Sequence, residues 1–310
     1  MNDDRRTDQI AAPVAPVGHS PLTLGLRRFR ANRAAVVGLG VLIVISLACS
    51  IVNVTTDPGE PVGKAEDAAV GRNHPWPPSW RHPFGTDTNG RDLLLRTLQG
   101  GAVSLAVGLS AAAISVLIGT FYGAVSGQAG GAVDRWMMRV VDTLYGLPYI
   151  LLVILLLVYA KQQFWVLIVA IGAVTWLTMA RIVRGEVLRL REQEYVQAAR
   201  ALGAGPLRIL LRHMLPNLAG PIIVCATLTV PVAILQESFL SFLGLGISAP
   251  KTSWGILASD AVSAISPVVN YWWLLVFPCL FLGLTLLCLN FVGDGLRDAF
   301  DPKLISRAAT

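Results

Sequence analysis

Charge is what this sequence has least of: 14% of its 310 residues are Asp, Glu, Lys or Arg, while 54% are hydrophobic. Soluble domains carry about a quarter charged residues, so an ordinary solvated surface is excluded and lipid is expected around the chain. Cysteine and histidine are equally scarce, with four of each. Cys49, Cys225, Cys279 and Cys288 fall inside apolar runs, where a thiol behaves as a small hydrophobe. No CxxC occurs, and His19, His74, His82 and His213 stand at no ligand-like spacing, so no metal is expected. A nucleotide site is missing as well. Pro250 precedes the Lys251-Thr252 pair where a P-loop needs glycine to expose backbone amides to phosphate. Paired carboxylates, a His-Asp set and a nucleophile elbow are not visible, which argues against a membrane-embedded enzyme. Internal repeats and interrupted helices with ion ligands are not visible either, which argues against a stand-alone secondary transporter.

Long apolar runs are abundant. Six are long enough to cross roughly 30 Å of hydrocarbon, over residues 34–54, 102–126, 144–160, 164–183, 218–240 and 272–292. The third is short and contains Pro148; the fifth holds Pro221 and Pro231, which lack a backbone donor and predict kinks. The first run does not read as a secretory leader, because 33 residues precede it and its length exceeds the usual h-region. Ser46 stands three before Cys49, a poor fit to a lipoprotein cleavage site.

The net charge of +6 is topological rather than a nucleic-acid footprint. With both termini cytoplasmic, the inside segments hold 18 of the 25 Lys and Arg residues, as the positive-inside rule requires. Arg27, Arg28, Arg30 and Arg33 cluster just before the first span, where anionic headgroups favour them. The expected organisation is a cytoplasmic tail over 1–33, with residues 1–20 disordered, and a first span plus a large extracytoplasmic loop over 34–101. A five-span core over 102–293 and a cytoplasmic tail over 294–310 complete it.

Within the large loop, His74-Pro-Trp-Pro-Pro-Ser-Trp-Arg-His-Pro83 is too proline-rich for regular structure. In Phe84-Gly-Thr-Asp-Thr-Asn-Gly-Arg-Asp92 and the leucines after it, Asp87 can cap a helix. Leu93, Leu94, Leu95 and Leu98 with Arg91 and Arg96 make that helix amphipathic, as if lying on the outer membrane surface. Trp76, Trp80, Trp272 and Trp273 read as interfacial anchors.

The segment between the fourth and fifth spans is the most informative. Glu194 to Ala201 is rich in helix formers; Gly203 and Gly205 free the chain for a sharp turn; Pro206 suits the first position of a new helix. Leu207, Leu210, Leu211 and Met214 then fall at i, i+3, i+4 and i+7 as one apolar stripe, with Arg208 and Arg212 on another face, and Pro216 is expected to end the helix. Such a helix-turn-helix is either a mechanical part, approached closely over Ala198, Ala199 and Ala201, or a membrane-surface loop with an arginine face.

Gln197-Ala198-Ala199, Gly203 after three intervening residues, and His213-Met214-Leu215-Pro216 resemble the EAA loop of ABC importer permeases. Gln197 replaces that motif's acid, which Glu194 supplies one turn earlier, and His213 stands where isoleucine is commoner. Four further stretches resemble the dipeptide and oligopeptide importer family in the same order. They are Phe84 to Asp92, Asp134 to Asp142, Glu237 to Gly246 and Asn290 to Pro302. The extra first span before a large loop resembles that family's "C" type permease.

The resemblance implies an all-α, six-span, type I importer permease fold in a bacterial plasma membrane, beside a second, "B" type permease. Two cytoplasmic ATPase subunits would use ATP and Mg, and an extracytoplasmic binding protein would deliver di- or oligopeptide. Permeases of this family also resemble those for nickel, glutathione and antimicrobial peptides. On this chain no catalytic site, metal or cofactor is implied. The ATPase contact would fall on Glu194, Gln197, Ala198, Ala199, Gly203, Pro206, Leu207, Arg208, Leu211 and Pro216. Ionisable residues in spans are functional candidates. Asp142 is expected to pair with Arg139, and Glu237, beside Gln236, either lines the pathway or bonds a neighbouring helix. Asp294, Arg297 and Asp298 read as a solvated cap after the last span.

Overall fold

The computed structural model describes residues 21–56, 75–160, 163–265 and 270–300. The expected disordered tail 1–20, residues 57–74 of the long loop and the residues after Phe300 lie outside the described residues. Among those described, the chain is helical, with a single isolated bridge between Thr86 and Asp92. The helices are α1 (Pro21–Ala31), α2 (Arg33–Thr55), α3 (Leu93–Ala129), α4 (Gly131–Tyr145), α5 (Tyr149–Ala160), α6 (Phe164–Arg191), α7 (Glu194–Ala201) and α8 (Pro206–Ile209). A π-turn over Leu210–Met214 leads into α9 (Leu215–Leu240), a second over Ser241–Leu245 ends it, and α10 (Trp254–Ala264) and α11 (Trp272–Phe300) follow.

Five helices are long and apolar enough to cross a membrane, and the bent pair α4 and α5 makes a sixth crossing if counted as one. The third span therefore differs from the single run expected over 144–160. Its two halves meet at 79°, because Pro148 disfavours a helical conformation for the residue before it.

The amphipathic surface helix expected around 93–98 is instead the first part of a continuous 37-residue α3. Leu93 and Arg96 are buried: Leu93 packs with Ala261, Trp273 and Leu274, and Arg96 donates to the Pro250 carbonyl at 3.3 Å. The Leu93 side is covered by α10 and α11, while Leu94, Leu95 and Leu98 are half-buried. Asp92 rather than Asp87 caps it, accepting from the Leu95 amide at 3.1 Å. Asp87 serves the preceding turn, accepting from the amide and Nε of Arg91, each at 2.8 Å. Trp273 is likewise buried in the bundle rather than at an interface, while Trp80 is fully exposed.

Packing centres on α3 against α6. Lipid tails are as apolar as leucine, so helices associate through close contact rather than through expulsion of water. Gly119, Gly123 and Gly127 of α3, four residues apart, provide that contact. A Cβ on Gly119 would lie 2.6 Å from Met179 Cβ, one on Gly127 would lie 2.8 Å from Val187 Cγ1, and one on Gly123 would collide with the Ala180 carbonyl oxygen. A charged clasp reinforces the same end. Arg184 of α6 donates from Nε and Nη2 to Asp134 of α4 at 2.5 and 2.6 Å, and Ser126 of α3 donates to the same carboxylate at 2.5 Å. A bidentate arginine bond of this kind fixes orientation as well as distance. It ties the first half of the broken span to the α3/α6 core.

α9 also packs on α3 and α11, and α2 on α11, where Ala35, Leu42, Cys288 and Val292 form a separate apolar cluster. At the end away from the arginine-rich loops, Trp254 is fully buried and donates from its indole nitrogen to the Thr97 carbonyl at 3.0 Å. That contact seats α10 on α3.

Candidate functional site

The segment 194–217 forms a compact head at one end of the bundle. α7 ends at Ala201, and Gly203 takes the left-handed conformation, with φ +82. The Gly203 amide donates to the Arg200 carbonyl and the Ala204 amide to the Ala199 carbonyl, both at 3.0 Å. This is a Schellman closure, which needs positive φ at the glycine. Pro206 then opens α8 within its first turn, where its missing N–H costs nothing.

One side of the head is anchored. Val196, Ile209, Leu210 and Met214 are buried against Met179, Val183 and Val187 of α6 and Leu218 of α9. Gln128 donates to the Pro206 carbonyl at 3.2 Å, and Arg191 to the Gly127 carbonyl at 2.9 Å. The other side is apolar and bare: Leu202, Leu207 and Leu211 are 89%, 66% and 56% exposed. Gln197, Ala198, Arg208 and Glu194 are exposed around them, and Ala199 is half-buried.

The single stripe expected for Leu207, Leu210, Leu211 and Met214 is thus split between two faces. Leu207 and Leu211 form one i, i+4 row and Leu210 and Met214 the next, and only the second faces the bundle; a π-turn follows, in which the Leu215 amide bonds the Leu210 carbonyl five residues back. The wider turn changes the angular spacing that an α-helical pattern assumes. It also explains Pro216. Expected to end the helix, Pro216 lies in the first turn of α9 and the helix passes through it, because the wider turn leaves room for a ring that an α-turn would crowd. Pro206–Leu245 forms a helical run of 40 residues that Gly244 breaks near its far end at φ +79, with Pro221 and Pro231 inside it. The bare leucines therefore sit at the head of a rod that crosses the whole bundle.

Beside that rod lies an open, mostly apolar cavity of about 910 Å³, between the α4/α5 bend, α6 and α9. Gln236 lines it, together with Tyr145, Tyr149, Thr175 and Thr229. Glu237 points elsewhere. It is fully buried, accepting from Ser104 of α3 at 2.8 Å and from Ser241 of the second π-turn at 2.6 Å. In this conformation its carboxyl joins α3 to the end of α9 and does not reach the cavity.

Asp142 is not paired with Arg139. Arg181 of α6 donates to it at 2.7 Å and stacks over Tyr145 at 4.1 Å, whereas Arg139 lies 5.7 Å from the Trp136 ring. The Asp142 and Arg181 side chains are 64% and 40% exposed. Asp142→Asn is accordingly expected to cost under about 1 kcal/mol, read as a small shift in thermal unfolding of the purified chain.

Two constellations carried no sequence signal. Arg184 finds Asp134 fifty residues away, and Ser104 finds Glu237 at a separation of 133. A His-Asp pair also exists after all, His82 Nδ1 lying 2.8 Å from Asp92 Oδ2, but there the carboxylate serves as the α3 cap. Among the described residues no cluster of three or more His, Cys, Asp or Glu could hold a metal.

Residues 115–306 match the family described as the binding-protein-dependent transport system inner membrane component. Residues 20–64 match the N-terminal TM domain of oligopeptide transport permease C. The chain is 46% identical over 278 residues to the dipeptide transport system permease protein DppC of Bacillus subtilis, covering 90% of this chain and 84% of that one. It is 48% identical over 280 residues to the oligopeptide transport system permease protein OppC of Haemophilus influenzae, covering 89% and 87%. OppC of Escherichia coli K12 is 47% identical over 279 residues, covering 89% of each. Among solved structures, inward facing MetNI methionine ABC transporter superposes with a TM-score of 0.56 at 18% identity, covering 70% of this chain and 98% of that one. This last likeness concerns the fold.

Proposed function

Since the chain belongs to the binding-protein-dependent transport system inner membrane component family, we propose that it is the "C" type permease of an ATP-driven importer of di- and oligopeptides. It works beside a second, "B" type permease, two cytoplasmic ATPase subunits and an extracytoplasmic binding protein. Bound ATP and Mg belong to the ATPase subunits, and this chain contributes mechanics rather than chemistry.

The observation that carries the reading is the bare apolar head on a 40-residue helical rod. Leu202, Leu207 and Leu211 offer an exposed patch that water disfavours and a partner groove would cover. Movement of the head by the ATPase turns the rod, and the rod forms one wall of the cavity. That cavity is then this chain's half of the peptide pathway. Gln236 is placed on it to meet the substrate's backbone amides, and the head lies in the cytoplasm.

Topology and docking are read in one experiment on the full complex, with Cys49, Cys225, Cys279 and Cys288 replaced. An impermeant thiol reagent applied to intact cells is expected to label Trp80→Cys and to spare Leu202→Cys. In everted vesicles Leu202→Cys is expected to cross-link to the ATPase subunit. Labelling of Leu202→Cys in intact cells sinks the orientation. A cross-link to nothing, in a complex that still takes up radiolabelled peptide, sinks the docking. The substrate class is tested by ATP-dependent uptake of a labelled dipeptide and a labelled pentapeptide into proteoliposomes holding all the subunits.

A further inference from the structure

Outside the head and the cavity, α1 is the element whose chemistry has no assigned use. Its eleven residues contain no acid, and Arg27, Arg28 and Arg30 lie within its last five. Asn32 interrupts the helical run and caps α2 by accepting from the Ala35 amide at 3.2 Å, so Arg33 stands at the very start of the first span. The faces of α1 divide cleanly. Gly25 and Phe29, one turn apart, are buried against the last turns of α11, while Arg27 and Arg30 are exposed on the far side and Arg33 is exposed beyond the break. Asp294, Arg297 and Asp298 mark that end of α11 as the depth at which hydrocarbon gives way to polar surroundings. Five arginines there face two aspartates.

Phe300 makes this location consequential. Its ring lies 3.2 Å from where a Cβ on Gly25 of α1 would be, and 3.3 Å from the corresponding point on Gly220 of α9. One side chain therefore touches both the arginine helix and the rod that carries the coupling head.

We propose that the Arg27, Arg30 and Arg33 face is a docking surface for anionic phospholipid headgroups, and that its occupancy, relayed through Phe300, adjusts coupling along Pro206–Leu245. The inference rests on the transporter reading for its second half alone. Charge complementarity and depth select the lipid. A surface of three exposed arginines, on a helix that itself carries no acid and is joined directly to a span, meets phosphates held in the bilayer interface rather than a soluble anion. Guanidinium groups suit phosphate oxygens through paired donors.

The test uses the complete importer in vesicles of phosphatidylcholine alone or of phosphatidylcholine with phosphatidylglycerol. Phosphatidylglycerol retained by the purified complex is counted, and peptide-stimulated ATP hydrolysis is measured. Wild type is expected to retain more phosphatidylglycerol than the triple variant Arg27→Gln/Arg30→Gln/Arg33→Gln, and to hydrolyse ATP about fivefold faster with it than without it. The triple variant is expected to match wild type in phosphatidylcholine and to gain nothing from the anionic lipid. Phe300→Ala is expected to retain the lipid and lose the response. Equal lipid retention by wild type and the triple variant overturns the docking surface, whether or not peptide moves. A wild-type rate indifferent to the lipid, in vesicles that do take up peptide, overturns the relay, as does a full response from Phe300→Ala. Free phosphate at the same charge concentration is expected to have no effect, and stimulation by it counts against a membrane source.

Discussion

In a complex carrying Gly203→Val, peptide uptake is expected to fall at least about tenfold while basal ATP hydrolysis continues, a loss equivalent to roughly 1.4 kcal/mol of coupling. Among the described residues nothing lies within 4 Å of a Cβ at that position, so the substitution meets no clash with them. What it meets is backbone geometry. At φ +82 a β-branched residue is a conformational outlier, and the two hydrogen bonds that close α7 cannot both be kept. The head then presents Leu202 and Leu207 to its partner in a different relation. Gly203→Asn separates the backbone effect from a contact effect, because asparagine tolerates positive φ but still adds a side chain. An intermediate loss is expected from it. Arg208→Gln, which leaves the turn intact, is expected to be milder than either. Normal uptake by Gly203→Val in an intact complex would remove the turn from the transmission path.

Gly123→Leu is expected to prevent stable assembly altogether. A Cβ there would strike the Ala180 carbonyl oxygen and approach Val183 Cβ and the Arg184 amide to 3.0 Å. Two of these three neighbours are backbone atoms inside α6, which cannot move aside as a side-chain tip can. Overpacking costs typically about 1–3 kcal/mol when side chains yield, and more is expected where they are not the obstacle. Separation of α3 from α6 also pulls Arg184 from Asp134, leaving a mostly buried carboxylate without its cation. The measurement is the amount of chain recovered in detergent and its melting temperature. Gly40→Leu is the comparison, since no described residue lies within 4 Å of a Cβ at that position. Equal recovery of the two variants would mean that the glycine stripe is not what brings α3 and α6 together.

The spans were legible in the sequence because crossing hydrocarbon demands long apolar runs, and composition alone records those. The head was legible for a different reason: Gly203 and Pro206 are residues whose backbone restrictions are local. Where the reading failed, the missing information was relational. Leu93 and Arg96 looked amphipathic and exposed until α10 and α11 covered them. Asp142 chose Arg181, 39 residues away, over Arg139 one turn away on its own helix. Gln236 and Glu237 are adjacent in sequence and project from α9 in different directions, one onto the cavity and one into a ring of serines. Helical periodicity separates neighbours by about 100°, but it does not say which of them meets the cavity.

The π-turn at the start of α9 has a consequence for how this helix should be counted. It accommodates about one residue more than an α-helix of the same length would hold, so it advances the angular phase of everything beyond it by about 100°. A helical wheel drawn continuously through Pro206–Leu240 is therefore out of step with the molecule from Leu210–Met214 onward. Removing Arg212 or His213 from Leu210–Met214 would restore regular phase while sparing the exposed leucines of the head. It would also swing Leu202 and Leu207 roughly a quarter-turn around the axis of α9. The direction in which the exposed leucines of the head point is set by a single surplus residue, spelled in length rather than in chemistry.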